Sequence, residues 1–189
     1  QPRNQIVVES LVKKYRARPV LYHLSLTIEP GELCILVGDN GVGKTTLLRI
    51  LAGLVRPDGG NIRLGTHNEY NTPSARRQIG YVGHQPLGYQ DLSAFENLVH
   101  YARLYNLTEI ETRVAQGIHF AGLEKYQHQM LRTYSRGMQQ RLSIARALLH
   151  DPEILLLDEP YTGLDKDAAH FLDLRLADLH NQGKTIFLA

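Results

Sequence analysis

Between an apolar run, Leu33–Val37, and a leucine-rich segment, Leu47–Leu54, the chain carries GDNGVGKT, Gly38 to Thr45. Glycines at 38, 41 and 43 keep the backbone bare, and one cation, Lys44, stands beside two hydroxyls, Thr45 and Thr46. The spacing is G-x-x-x-x-G-K-T. Such a loop needs a buried strand ahead of it and a helix behind it, so the feature demands an α/β architecture. Its bare backbone lets N–H groups converge at the helix N-terminus, where the dipole favours anions. The ligand this implies is a nucleoside triphosphate. Gly38, Asp39, Asn40, Gly41, Val42, Gly43, Lys44, Thr45 and Thr46 are then its phosphate contacts. Lys44 brings charge to the β- and γ-phosphates, and the Thr45 hydroxyl is an oxygen ligand for Mg²⁺.

Composition limits the alternatives. With 43% hydrophobic residues in 189, the chain has material for one core and one domain. Its 21 basic and 19 acidic residues nearly balance, which gives no electrostatic case for a nucleic-acid partner. The single cysteine, Cys34, cannot form an internal disulfide and reads as a small buried strand residue. No segment approaches the ~18 apolar residues of a membrane span, and QPRNQ does not open a signal peptide. The expected location is cytoplasmic. A start without methionine and an end inside TIFLA lead us to expect a C-terminally truncated domain.

Along the chain, Ile6–Leu11 and Leu24–Ile28 alternate as half-buried strands, and Leu33–Val37 reads as a strand buried on both faces. Leu47, Leu48, Leu51 and Leu54 are expected on one helical face, with further strands at Asn61–Leu64 and Gly80–Val82. From about Asp91 to Thr133 the texture turns helical and polar, and Thr108 with Glu111 forms a capping-box pattern. Ser135 is the expected N-cap of a helix carrying Met138, Leu142, Ala145 and Leu149 on one face. Ile154–Leu157 is a second buried strand, ending in Asp158-Glu159-Pro160.

A carboxylate at the end of a buried parallel strand faces the edge where open α/β sheets bind ligands. Asp158 there suits Mg²⁺, and Glu159 suits aiming or deprotonating a water that attacks the γ-phosphate. Upstream, Tyr134-Ser135-Arg136-Gly137-Met138-Gln139-Gln140 opens a helix with a serine and a glycine N–H, a second place for an anion. One nucleotide does not need two phosphate sites in one chain. Two chains packed head to tail do.

In the order Tyr15, glycine loop, helical lobe, Ser135 helix, Asp158-Glu159 and Gly163-Leu164-Asp165, the chain resembles the ATP-binding subunits of ABC transporters. The resemblance implies a P-loop NTPase (RecA-like) core with a small antiparallel β region and an inserted helical lobe. The expected single domain, 1–189, has its β region and nucleotide core at 1–87 and its lobe at 88–133. The Ser135 helix and acidic strand occupy 134–189. In that family the aromatic at Tyr15 stacks on adenine. Ser135, Gly137 and Gln139 or Gln140 meet the partner's phosphates, and Asp165 touches the opposite subunit.

The same resemblance implies an ATPase with Mg²⁺, a homodimer when ATP is bound, and a polytopic membrane partner that holds it on the inner membrane face. The family's usual glutamine, which reaches Mg²⁺ and the attacking water, falls in register on His84, with Gln85 one residue late; either fills the role. Its switch histidine is expected beyond Ala189. Gly83–Leu87, Glu96-Asn97-Leu98 and Tyr101–Tyr105 resemble the ATP-binding subunit for haem export in cytochrome c maturation. A soluble ABC-type ATPase, such as one for iron–sulfur assembly, is the alternative.

Overall fold

The computed structural model describes residues 5–16, 18–65, 70–84 and 88–189. Strand β1 (Ile6–Tyr15) lies between β2 (Arg18–Ile28) and β4 (Gly59–Leu64) in an antiparallel sheet of order β2-β1-β4. Ile6, Val8 and Leu11 point inward, but the step from Val8 to Leu11 breaks the period of two. There the register slips: Ser10 takes φ 48 and its N–H bonds the Ser25 hydroxyl at 2.9 Å, a bulge that restores the inward face.

The second sheet is parallel. Its order is β3 (Leu33–Ile35), β7 (Thr185–Leu188), β6 (Ile154–Leu157), β5 (Ile79–Val82). The runs ILLL and TIFL are wholly buried, as central parallel strands require. Strand β3 departs from the expectation of two-sided burial. It forms the sheet edge, with Ile35 62% and Val37 87% exposed. An apolar run fits a strand with neighbours on both sides, and β3 pairs with β7 alone among the described residues. Cys34 is accordingly only half-buried; burial first, then Glu32, pushes its thiol up.

Helix α1 (Lys44–Leu51) leaves the glycine loop and buries Leu47, Leu48, Ile50 and Leu51. Leu54, expected on the same face, is 62% exposed. The helix has already closed through a turn at Gly53, with the Leu54 N–H on the Arg49 carbonyl at 2.9 Å. A short helix, α2 (Pro73–Arg76), capped by Thr72, precedes β5.

The lobe contains α3 (Ala94–Leu104) and α4 (Ile110–Ala121), with 3₁₀ turns at Glu124–Tyr126 and Leu131–Thr133. Its capping box is Ser93 with Glu96, not Thr108 with Glu111. Helix α4 starts one residue late for Thr108: Glu109 takes the N-cap place at φ 54 with no side-chain bond.

Helix α5 (Arg136–Leu148) belongs to two cores at once. Leu142 and Ala145 pack with Leu98, Val114 and Ile118 of the lobe. Ile144 and Ala147 pack with β5, β6, β7 and the inner face of α6 (Lys166–Asn181). Any tilt of the lobe relative to the parallel sheet therefore loads this helix.

Candidate nucleotide site

Gly43 decides the shape of the loop. Its φ is 111, and a Cβ there would sit 3.0 Å from the Val20 carbonyl oxygen, so β2 closes against the loop's back. As N-cap of α1 it brings no side chain, and no other side chain caps the helix. The amides of the first turn thus have no partner within the helix and remain available to an anion. Asp39, Asn40, Gly41 and Val42 form the exposed crest. Lys44 Nζ donates to the Gly38 carbonyl and, at 3.0 Å, to that of Asp39, which aligns the ammonium along the loop.

A cleft of about 250 Å³ opens over this loop. Tyr15, Val20, Gly41, Lys44, Thr46 and Glu159 are among its walls. Tyr15 is 48% exposed, with Lys13 Nζ 5.4 Å from its ring centroid, an exposure that suits stacking. Larger hollows of about 520 and 630 Å³ lie elsewhere, one beside α4 and one at the Arg56–Arg63 turn. Neither reaches the glycine loop, and the smaller cleft combines unspent helix amides with a lysine and a carboxylate, Lys44 and Glu159.

Asp158 follows β6 and is 1% exposed. Its N–H bonds the Val82 carbonyl at 2.9 Å, and its Oδ1 accepts from Thr45 Oγ1 at 2.9 Å. The second carboxylate oxygen, Oδ2, is buried without a hydrogen-bond partner. A buried polar atom left so is costly and marks a place for something else. A hard cation fits: Thr45 and Asp158, two of the three residues expected to hold Mg²⁺, meet here, with an anionic lone pair to spare. Among the described residues no group of three or more His, Cys, Asp or Glu could hold a metal. Such an ion would complete its shell with phosphate oxygens and water.

Glu159 stands in the left-handed region at φ 50, a strained setting for a non-glycine residue, with its N–H on the Ala189 carbonyl at 2.7 Å. Its Oε2 lies 3.0 Å from His84 Nδ1 and 3.3 Å from Thr162 Oγ1. His84 thus reaches the carboxylate directly. Gln85 lies outside the described residues.

At the other end of the constellation, Ser135 caps α5 by accepting from the Met138 N–H at 3.3 Å. Gly137 is required by contact: a Cβ would stand 2.9 Å from that of Ala168, where α5 crosses the start of α6. Gln139 turns inward, its amide on the Leu131 and Tyr134 carbonyls at 3.4 Å each. Asp165 caps α6 through the Ala168 N–H at 2.8 Å. None of Ser135, Gly137 and Gln139 lines the cleft over the glycine loop.

Sequence reading missed Val20 behind Gly43, Thr162 on Glu159, and Arg136, whose Nη2 donates to the His84 carbonyl at 3.1 Å. For Arg136 a signal existed, since it stands between Ser135 and Gly137, both expected at a phosphate. The other two carry no local mark.

The ABC transporter family profile matches residues 21–162. The chain belongs to the ABC transporter family. It is similar to the cytochrome c biogenesis ATP-binding export protein CcmA of Xylella fastidiosa, 38% identical over 96% of this chain and 84% of that protein. It is equally similar to the Nod factor export ATP-binding protein I of Cupriavidus metallidurans, 41% identical over 93% of this chain; there the chain spans only 59% of the relative's length. An ATP-binding subunit of an ABC transporter superposes with TM-score 0.85 at 32% identity, covering 97% of this chain and 78% of that one. A dimeric ATP-binding cassette in a post-hydrolysis state, bound to ADP and Pi, gives 0.87 at 28% identity, covering 97% and 86%. As an ABC cassette the chain is an ATPase and an ATP-binding transporter subunit, with the α/β cassette fold expected from its motifs.

Proposed function

We propose that this ABC subunit hydrolyses Mg·ATP at an interface it shares with a second copy of itself. The observation that carries the reading is the Thr45–Asp158 pair, with Asp158 Oδ2 buried and unpartnered beside a loop whose amides and Lys44 face the same cleft. Thr45 and Asp158 would hold Mg²⁺, with Gln85 as a further contact; bound there, the ion would offset negative charge on the phosphate oxygens. Gly38, Asp39, Asn40, Gly41, Val42, Gly43 and Thr46 cradle the phosphates through the backbone, and Tyr15 stacks on the base. Lys44 stabilises charge on the γ-phosphate and Glu159 aims the water.

Within one chain, Ser135, Gly137 and Gln139 stand apart from that cleft, so their phosphate comes from the partner copy. Loss of the γ-phosphate removes those contacts and loosens the pair. The domain division proposed is the expected one, 1–87, 88–133 and 134–189, with α5 transmitting the closure to the lobe. No described helix is long and apolar enough to cross a membrane. We propose that a polytopic membrane subunit holds the protein on the cytoplasmic face.

For the cargo we propose haem, exported for cytochrome c biogenesis. Support comes from the segments at Gly83–Leu87, Glu96–Leu98 and Tyr101–Tyr105 and from the CcmA relatives. Deleting the gene should remove covalent haem from c-type cytochromes, and Glu159→Gln should fail to restore it. Intact cytochromes with loss of Nod factor export would favour the activity named in the Nod factor relatives instead.

A further inference from the structure

In the proposed function Glu159 aims the attacking water, and the role assigned to His84 rests on that. His84 lies two residues past β5, where the family resemblance would place a glutamine reaching toward metal and water. Its ring goes elsewhere: Nδ1 is 3.0 Å from Glu159 Oε2. An ionised carboxylate only accepts, so the ring nitrogen donates, as either the Nδ1–H tautomer or the imidazolium allows. The Thr162 hydroxyl donates to the same oxygen at 3.3 Å. Both bonds fall on Oε2, which leaves Oε1 to accept from a water.

The pair is well exposed, 49% for the His84 side chain and 38% for that of Glu159, so it adds little to stability. What it fixes is direction. Glu159 is constrained from the backbone side by its φ of 50 and from the side-chain side by His84 and Thr162. His84 is itself held. The Arg136 guanidinium donates to its carbonyl at 3.1 Å, and Arg136 is the first residue of α5, next to Ser135. Gly163, in the loop after Glu159, packs beside the Arg136 stem; a Cβ there would lie 3.5 Å from its Cγ. Two hydrogen bonds through one histidine thus join the N-terminus of α5 to the carboxylate.

We infer that His84 is a positioning residue for Glu159 rather than a substitute for the family's glutamine, and that Arg136 ties this position to the N-terminus of α5. Since the Ser135 end of α5 serves the partner's nucleotide, the aim of Glu159 in one site depends on whether the other site is engaged.

The test compares substitutions at His84 in the full chain, with kcat, KM and equilibrium ATP affinity each measured. His84→Ala lowers kcat about ten- to a hundredfold through misplacement of the carboxylate, with ATP affinity held. His84→Asn places an amide nitrogen where Nδ1 stands and restores most of kcat; His84→Gln, whose amide reaches the Nε2 position, does not. The opposite ranking would overturn the inference, because it is the ranking a glutamine substitute gives. Should His84→Ala fail to bind ATP at all, the Asn-against-Gln ranking still decides. Arg136→Ala lowers kcat less, and the double variant with His84→Ala is no worse than His84→Ala alone; additive losses would overturn the Arg136 link. Glu159→Gln separates the two readings. If it hydrolyses ATP normally, the role of Glu159 is wrong; if it is inactive while His84→Ala is unaffected, only the positioning role of His84 falls.

Discussion

The helices α1 and α5 both begin beside glycines and small polar residues, yet their N-termini are built differently. At α1 the N-cap is Gly43, no side chain caps, and the first-turn amides face a cleft walled by Lys44 and Glu159. At α5 the Ser135 hydroxyl already accepts from Met138, and Gln139 is folded onto the chain's own carbonyls. The first end is an open grip, with Thr45 Oγ1 on Asp158 and a carboxylate oxygen to spare beside it. The second is a self-capped helix that keeps only its outermost donors for something outside. The contrast supports the proposed division, in which a single chain holds a triphosphate at α1 and α5 acts on a phosphate brought by another chain.

Loss of the cation should separate the two ends most sharply. Lys44→Ala should weaken ATP binding about ten- to a hundredfold, the worth of a charged hydrogen bond, and abolish measurable hydrolysis, checked by calorimetry and phosphate release. Glu159→Gln should lower kcat by about 10²- to 10⁴-fold with ATP affinity kept, and should accumulate an ATP-dependent dimer in light scattering. Gly43→Ala should cost about 1–3 kcal/mol in denaturant unfolding and impair ATP binding, because a side chain at φ 111 would also press on Val20.

Ser135→Ala should cost about 0.5–2 kcal/mol of stability as a lost cap and leave monomer ATP binding intact, while ATP-driven dimerisation fails. If Ser135→Ala instead weakened ATP binding by the monomer, the division between the two ends would be broken.

The smallest effect concerns the far end of α5. His150 is held at the Ile79 carbonyl, 3.1 Å away, and burial, the leading cause, depresses its pKa below 6.5. The unfolded chain then binds a proton that the folded chain resists. Stability from this group is therefore full above the unfolded value and falls as pH drops from there toward the folded one. Thermal unfolding of the wild type should lose ground to His150→Gln between about pH 7 and 5; parallel curves would remove the effect.

What could be read from the chain alone depends on the range of the interactions. Gly43, Lys44, Thr45 and Asp158 belong to short motifs whose chemistry dictates their surroundings, and the structure brings them together. The Ser135 cap is local and was legible for the same reason. Thr108–Glu111 and Ser93–Glu96 present the same pattern, but only the latter meets a helix starting at the right residue. Nothing in Leu33–Val37 distinguishes an edge strand from a central one, because strand order depends on partners far along the chain. The meeting of His84 with Glu159 is likewise set by β5 and β6 lying side by side, which no spacing rule encodes.

Two chains gripping one triphosphate can be seen directly in a crystal structure of Glu159→Gln with Mg²⁺ and ATP. Ser135 Oγ and the Gly137 N–H of each protomer should lie within about 3 Å of γ-phosphate oxygens bound by the other protomer's Lys44 loop. A closed pair with those groups remote from any phosphate would contradict the shared-site reading.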